Sequence, residues 1–174
     1  MSQEKRSKTG QAEQIQFGEN DMIQKNDFAR FIREKRREYN ELHQQQLSTR
    51  KIANILGMSE SSFPKVLNRE RPTKHRDVII AIGIILELLP GEVSEALRLY
   101  DMPELEDQRK LSGEEVDRDR ILSRMMICCN SKKQSCSLQQ VDEQLINSGF
   151  RPLSIEPKVD LKNGTKDVPF LLNW

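Results

Sequence analysis

Residues 48–69 set a small residue, a helix-ending glycine and two apolar anchors at the spacing that two short crossing helices require. Ser48 is placed to cap a first helix, on which Ile52, Ala53 and Leu56 share a face at i, i+1 and i+4. Ala53 is small where a second helix must cross closely, and Gly57 supplies the positive-φ residue that ends the first helix. Ser59 is placed to cap the second helix. That helix turns Phe63 and Val66 inward and leaves Glu60, Ser61, Pro64 and Lys65 on the opposite side.

Through Ala53, Gly57, Met58, Ser59, Phe63, Val66 and Asn68, the stretch from about Phe28 to Leu89 resembles the Cro and phage-repressor class of helix-turn-helix domains, the XRE family. The resemblance implies an all-α fold with a Cro/repressor-like helix-turn-helix bundle, and double-stranded DNA as the partner. It implies that Thr49 or Arg50 contacts the DNA backbone, and that Glu60, Ser61 and Lys65, with Ser62 beside them, approach bases in the major groove. Two positions depart from the family's pattern. Pro64 lies on the groove-facing side, where it removes a backbone donor and is expected to kink the turn. Arg69 stands where the family has glycine. The plain alternative is an antiparallel helix pair, since Ala and Gly at these positions serve close packing in any bundle. Glu60 bears on both: an acid accepts from cytosine but repels phosphate, and a fold of this kind also serves as a protein-binding module.

The formal net charge of +1 hides an asymmetry. Residues 30–76 carry twelve Lys and Arg against five Glu, a net +7, whereas residues 87–119 carry four against eleven acids, a net −7. The first half is the DNA-facing candidate. Arg30, Arg33, Lys35, Arg36 and Arg37 crowd one helix, and Arg69, Arg71, Lys74 and Arg76 follow the motif, where phosphate contacts commonly lie. The acidic half suits a protein partner rather than DNA.

With 174 residues and 36% hydrophobic content the chain has room for one large or two small domains with a core. The expected organisation is mostly helical: a disordered tail over 1–20, a helix-turn-helix domain over 21–89, a helical hairpin region for partners or dimerisation over 90–154, and a tail over 155–174. A first helix from about Asp27 to Leu42 presents Phe28, Phe31, Ile32, Tyr39 and Leu42 on one face. Val78 to Leu89 has ten apolar residues in twelve, short of the ~20 that span a bilayer, and reads as a helix buried on every side. Pro90 suits the first turn of the next helix, on which Val93, Ala96, Leu97 and Tyr100 align. Asp101 to Ser112 reads as a loop. Met1 to Asn20 is polar and lacks the apolar stretch of a signal peptide, which with the three cysteines points to a reducing, cytoplasmic setting without membrane contact.

Beyond the loop the chain echoes itself. Arg76-Asp77-Val78-Ile79-Ile80 answers to Arg118-Asp119-Arg120-Ile121-Leu122, and Val93, Glu95, Leu97, Met102 and Leu105 answer to Val141, Glu143, Leu145, Phe150 and Leu153 at an offset of 48. Two repeated helical hairpins follow from this, with chance likeness of amphipathic helices as the alternative. Ser112 with Glu115 and Ser137 with Gln140 match the capping box, and Gly149 is placed to close the last helix. This arrangement of arginine-aspartate, apolar helix, turn and amphipathic helix also looks like tails found behind bacterial XRE-type domains. Cys128, Cys129 and Cys136 lie together, but zinc takes four ligands and the only histidines are His43 and His75. Cys128 and Cys129 continue the apolar face of Ile121 and Met125, so buried thiols are the simpler account than a metal or redox site. No phosphate loop, HExxH or nucleophile elbow is present, and neither catalysis nor a cofactor or metal is expected. Asn163-Gly164 is a turn signal, and the apolar end from Val168 to Trp174 is expected to fold back on the core. The expectation is a dimeric, sequence-specific transcriptional regulator using residues 48–69. The rival is a protein-interaction adaptor in which the helix-turn-helix is structural, and origin in a host or a phage stays open.

Overall fold

The computed structural model describes residues 27–131 and 136–153, and all regular structure among them is helical. α1 occupies 27–43, α2 Thr49–Ile55, α3 Ser62–Leu67, α4 Arg76–Ile85, α5 Pro90–Leu99, α6 Gly113–Ser131 and α7 Leu138–Asn147. The expected tails over 1–20 and 155–174, and the Asn163-Gly164 turn, lie outside the described residues.

The helix starts follow from capping chemistry. Ser48 Oγ accepts from Lys51 N at 3.1 Å, and Ser137 Oγ accepts from Gln140 N at 3.2 Å while Gln140 Oε1 accepts from Ser137 N at 3.0 Å. Ser112 and Glu115 exchange the same pair of bonds ahead of α6. Pro90 opens α5, where its missing N–H is no loss, and Glu92 takes the Leu89 N–H at 2.8 Å.

The helix ends share one device. α2, α3, α4, α5 and α7 are each followed by a residue in the left-handed region: Gly57 (φ 65°), Arg69 (55°), Glu87 (55°), Asp101 (60°) and Gly149 (81°). After α2, α4, α5 and α7 the next N–H then reaches back five residues, as in Met58 N to Ala53 O at 2.8 Å and Phe150 N to Leu145 O at 2.9 Å.

α4 is the centre of the fold, buried on every side from Asp77 to Ile84. It packs on α5 so closely that a Cβ at Gly83 would meet Val93 Cγ2 at 2.6 Å. α6 packs on α7, α7 also touches α4, and α6 touches α5. One set of buried side chains runs from Phe28 through Leu97 to Leu153, continuous across the 89/90 boundary expected from sequence. Leu42, expected on the inner face of α1, is 78% exposed because it stands at the rim of a cavity rather than beneath another helix.

The starts of α4 and α6 are joined by two reciprocal ion pairs. Arg76 holds both carboxylate oxygens of Asp119 (3.0 and 2.7 Å), and Arg118 holds both of Asp77 (2.9 and 3.1 Å). Each arginine also donates to two carbonyls: Arg76 to Pro103 and Glu104, Arg118 to Arg151 and Pro152. Leu105 N donates to Ser94 Oγ at 3.3 Å, and Leu153 N to Asp142 Oδ1 at 2.7 Å. The two arginines differ by 42 in number, and each group they or their hairpins engage beyond α4 and α6 has a counterpart 48 residues on.

Candidate nucleic-acid interface

α2 and α3 pack against each other through side chains of the motif: Ile52, Ala53, Leu56, Phe63, Val66 and Leu67 are buried. Six residues are enough for α3 because its burial, not its length, stabilises it. The helix begins at Ser62 rather than at Ser59. Ser59 supports it through its carbonyl, which accepts from Ser62 N at 2.9 Å and Phe63 N at 3.3 Å, while its hydroxyl contacts those of Ser61 and Ser62. Pro64 does not break the helix. It falls in the first turn, where no intrahelical acceptor waits for its N–H, and its carbonyl accepts from Asn68 N at 2.9 Å.

The outward residues expected from sequence are exposed: Glu60, Ser61, Pro64 and Lys65, with Ser62 half-buried. Thr49 is half-buried and Arg50 exposed in the first turn of α2. Arg50 Nε meets Glu60 Oε1 at 2.7 Å, a pair that links the start of α2 to the approach to α3. It partly offsets the repulsion that Glu60 alone presents to phosphate. In an exposed pair of this kind the net attraction is at most about 1 kcal/mol, so Arg50 is easily drawn away by a phosphate. Lys65, Arg71 and Lys74 are exposed and make no ion pair among the described residues.

Three basic residues expected at the interface belong to the fold. Arg69 is 13% exposed, with its guanidinium 2.6 Å from Asp101 and 5.2 Å from the Tyr100 ring centroid. Arg76 is turned to Asp119. Lys35 bridges Glu38 and Glu92 at 2.8 and 2.7 Å, and the bonds to Glu38 and then Glu92 hold its ammonium above the usual lysine range. Each partner lies on or after the acidic half, or one turn along α1. The sequence carried no sign of these pairings, which join positions up to 57 apart.

Tyr100, read from sequence only as core, is what anchors the exit of α3. Its hydroxyl donates to Val66 O and accepts from Thr73 N, both at 3.1 Å, and its ring meets Phe28 edge-on at 4.7 Å. Burial pushes its phenol up from the ordinary value. Arg33 donates to Asn68 Oδ1 at 3.1 Å, tying α1 to the end of α3.

Comparison with protein-family models, with curated proteins and with solved structures finds no match. Among the described residues no group of His, Cys, Asp and Glu could hold a metal ion, and no helix is long and apolar enough to cross a membrane. The three thiols have different surroundings: Cys128 is exposed, Cys129 half-buried and Cys136 buried. Cys128 therefore departs from the expected buried face. It lies near the end of α6, where the side of the helix carrying Cys128 and the 52% exposed Ile127 is uncovered.

Proposed function

We propose that this chain is a sequence-specific DNA-binding regulator of the XRE type, with residues 48–69 as its helix-turn-helix and a duplicated helical hairpin behind it. The observation that carries the reading is the two-sidedness of α3. Phe63, Val66 and Leu67 fasten it to the core, while Glu60, Ser61, Pro64 and Lys65 face outward, and Lys65, Arg71 and Lys74 make no ion pair among the described residues. Arg50, Lys65, Arg71 and Lys74 neutralise phosphates and set register; Glu60, Ser61 and Lys65 test base edges. Thr49 and Ser62 are supporting polar contacts. Arg69 is left out, because its guanidinium is engaged by Asp101.

One small motif reads few bases, so a homodimer spanning half-sites roughly 34 Å apart is the working form. The matched contacts of Arg76 and Arg118 support duplication of the hairpin, since chance likeness of two amphipathic helices does not reproduce a reciprocal salt bridge. Selection of duplexes from a randomised pool tests the function. Enrichment of a two-fold symmetric site at low salt is expected, and Lys65→Ala is expected to change the selected bases. If no duplex is enriched, the interaction-adaptor reading replaces this one.

A further inference from the structure

At the end of α1 lies a cavity of ≈ 420 Å³ that the helix-turn-helix reading leaves unused. Leu42 and His43 reach it from α1, Glu87 from the end of α4, Met126 and Cys129 from α6, and Cys136 from the residues just ahead of α7. Its size falls within the roughly 300–1,000 Å³ of sites that hold small organic molecules.

The wall chemistry narrows the occupant. Leu42 and Met126 are apolar, and burial followed by the neighbouring Cys129 pushes the Cys136 thiol up to about 12, so it stays uncharged at neutral pH. Glu87 is the one carboxylate among the described residues that line the cavity. Its Oε2 lies 2.9 Å from His43 Nε2, but its Oε1 is buried and has no hydrogen-bond partner. A buried acceptor without a donor is rare in a native protein and marks a place where a donor belongs. The backbone holds Glu87 there independently of the carboxylate: φ is 55°, its N–H bonds Ile84 O at 3.0 Å, and Leu88 N bonds Gly83 O at 2.9 Å.

We propose that this cavity binds a small organic cation, an amine whose ammonium pairs with the partly exposed Glu87 carboxylate, Oε1 turning toward the cavity as it gains a donor, and whose apolar body lies against Leu42 and Met126. A metal ion is the poorer occupant, since the described His, Cys, Asp and Glu side chains form no group that could hold one. The amine would touch both α1 and α6, so its binding ties the helix-turn-helix half to the second hairpin.

The test uses three indoles that differ in the charge of their arm: tryptamine, tryptophol and indole-3-acetate, titrated calorimetrically into the full chain without DNA. Tryptamine is expected to bind about tenfold more tightly than either of the others, as a charge-assisted bond with this carboxylate requires. Glu87→Gln should bring the three within about threefold, with circular dichroism unchanged. Leu42→Lys, at an exposed rim position that folding does not depend on, should weaken tryptamine severalfold. Equal affinities, an amine preference that survives Glu87→Gln, or no binding of any probe at millimolar concentration would each overturn the proposal. Because DNA is absent from the assay, its outcome is independent of the regulator reading.

Discussion

The side chains on which most depends are the two buried arginine-aspartate pairs. Asp77 is 3% exposed and Asp119 fully buried, so removing either arginine strands a carboxylate in the core rather than merely deleting a contact. Arg118→Ala is expected to destabilise by about 3 kcal/mol in urea unfolding, at the lower end of the range for broken buried pairs, because Arg151 stays 2.8 Å from Asp77. Arg118→Lys should recover little of this, since one ammonium cannot serve two carboxylate oxygens and two carbonyls together. Asp142 behaves in the opposite sense. Burial pushes its carboxyl up to about 6, outweighing the bond from Leu153 N, and its Oδ2 has no partner. The folded state thus binds this proton more tightly than the unfolded chain does. Its contribution is most favourable below about pH 4 and is lost as pH rises through 6. Asp142→Asn should accordingly gain stability relative to the native chain between pH 4 and pH 7, by on the order of 2 kcal/mol. A difference that does not change with pH would show that Asp142 is not the group responsible.

At the scale of elements, the closeness of α4 to α5 sets the sign of a substitution that helix propensity alone would misjudge. Gly to Ala inside a helix usually gains roughly 0.5–1 kcal/mol. At Gly83 the new methyl carbon would lie 2.6 Å from a Val93 side chain that is fully buried and stiff, and overpacking of this kind costs about 1–3 kcal/mol. Gly83→Ala should therefore lower stability by about 1 kcal/mol, and in a Val93→Ala background it should become neutral or stabilising. Sequence made the starts of helices legible because a capping box is local: Ser137 needs only Gln140. It made the ends of α2 and α7 legible through Gly57 and Gly149. The ends of α3, α4 and α5 were hidden, since Arg69, Glu87 and Asp101 adopt the same left-handed backbone without announcing it. Arg69 shows the limit for the candidate site as well. It stands where the resembling family has glycine, which left the exit from α3 open in the sequence, and its engagement by Asp101, 32 residues on, was not readable either. Lys65 and Ser61 were readable because helical periodicity alone turns them away from Phe63 and Val66.

For the molecule as a whole, the opposite charges of its two halves turn out to be partly each other's partners. Lys35, Arg69 and Arg76, all in the basic half, reach Glu92, Asp101 and Asp119 in the acidic one. This lowers the charge available to a basic protein partner and, on the proposed regulator reading, leaves a smaller set of cations to meet DNA: Arg50, Lys65, Arg71 and Lys74. If the proposed dimer makes four such contacts on each protomer, it neutralises roughly eight phosphates, and log K should fall with log salt at a slope near −7. Arg71→Ala should reduce that slope by about 2 for the dimer without altering which bases are selected. Arg69→Ala should leave the slope unchanged and lower the unfolding midpoint instead, because it removes the Asp101 ion pair and the stacking on Tyr100. Fluorescence anisotropy on one selected duplex between 50 and about 300 mM salt separates the two arginines. If Arg69→Ala flattened the slope as much as Arg71→Ala does, the surface facing DNA would have to be redrawn around the end of α3 and Asp101.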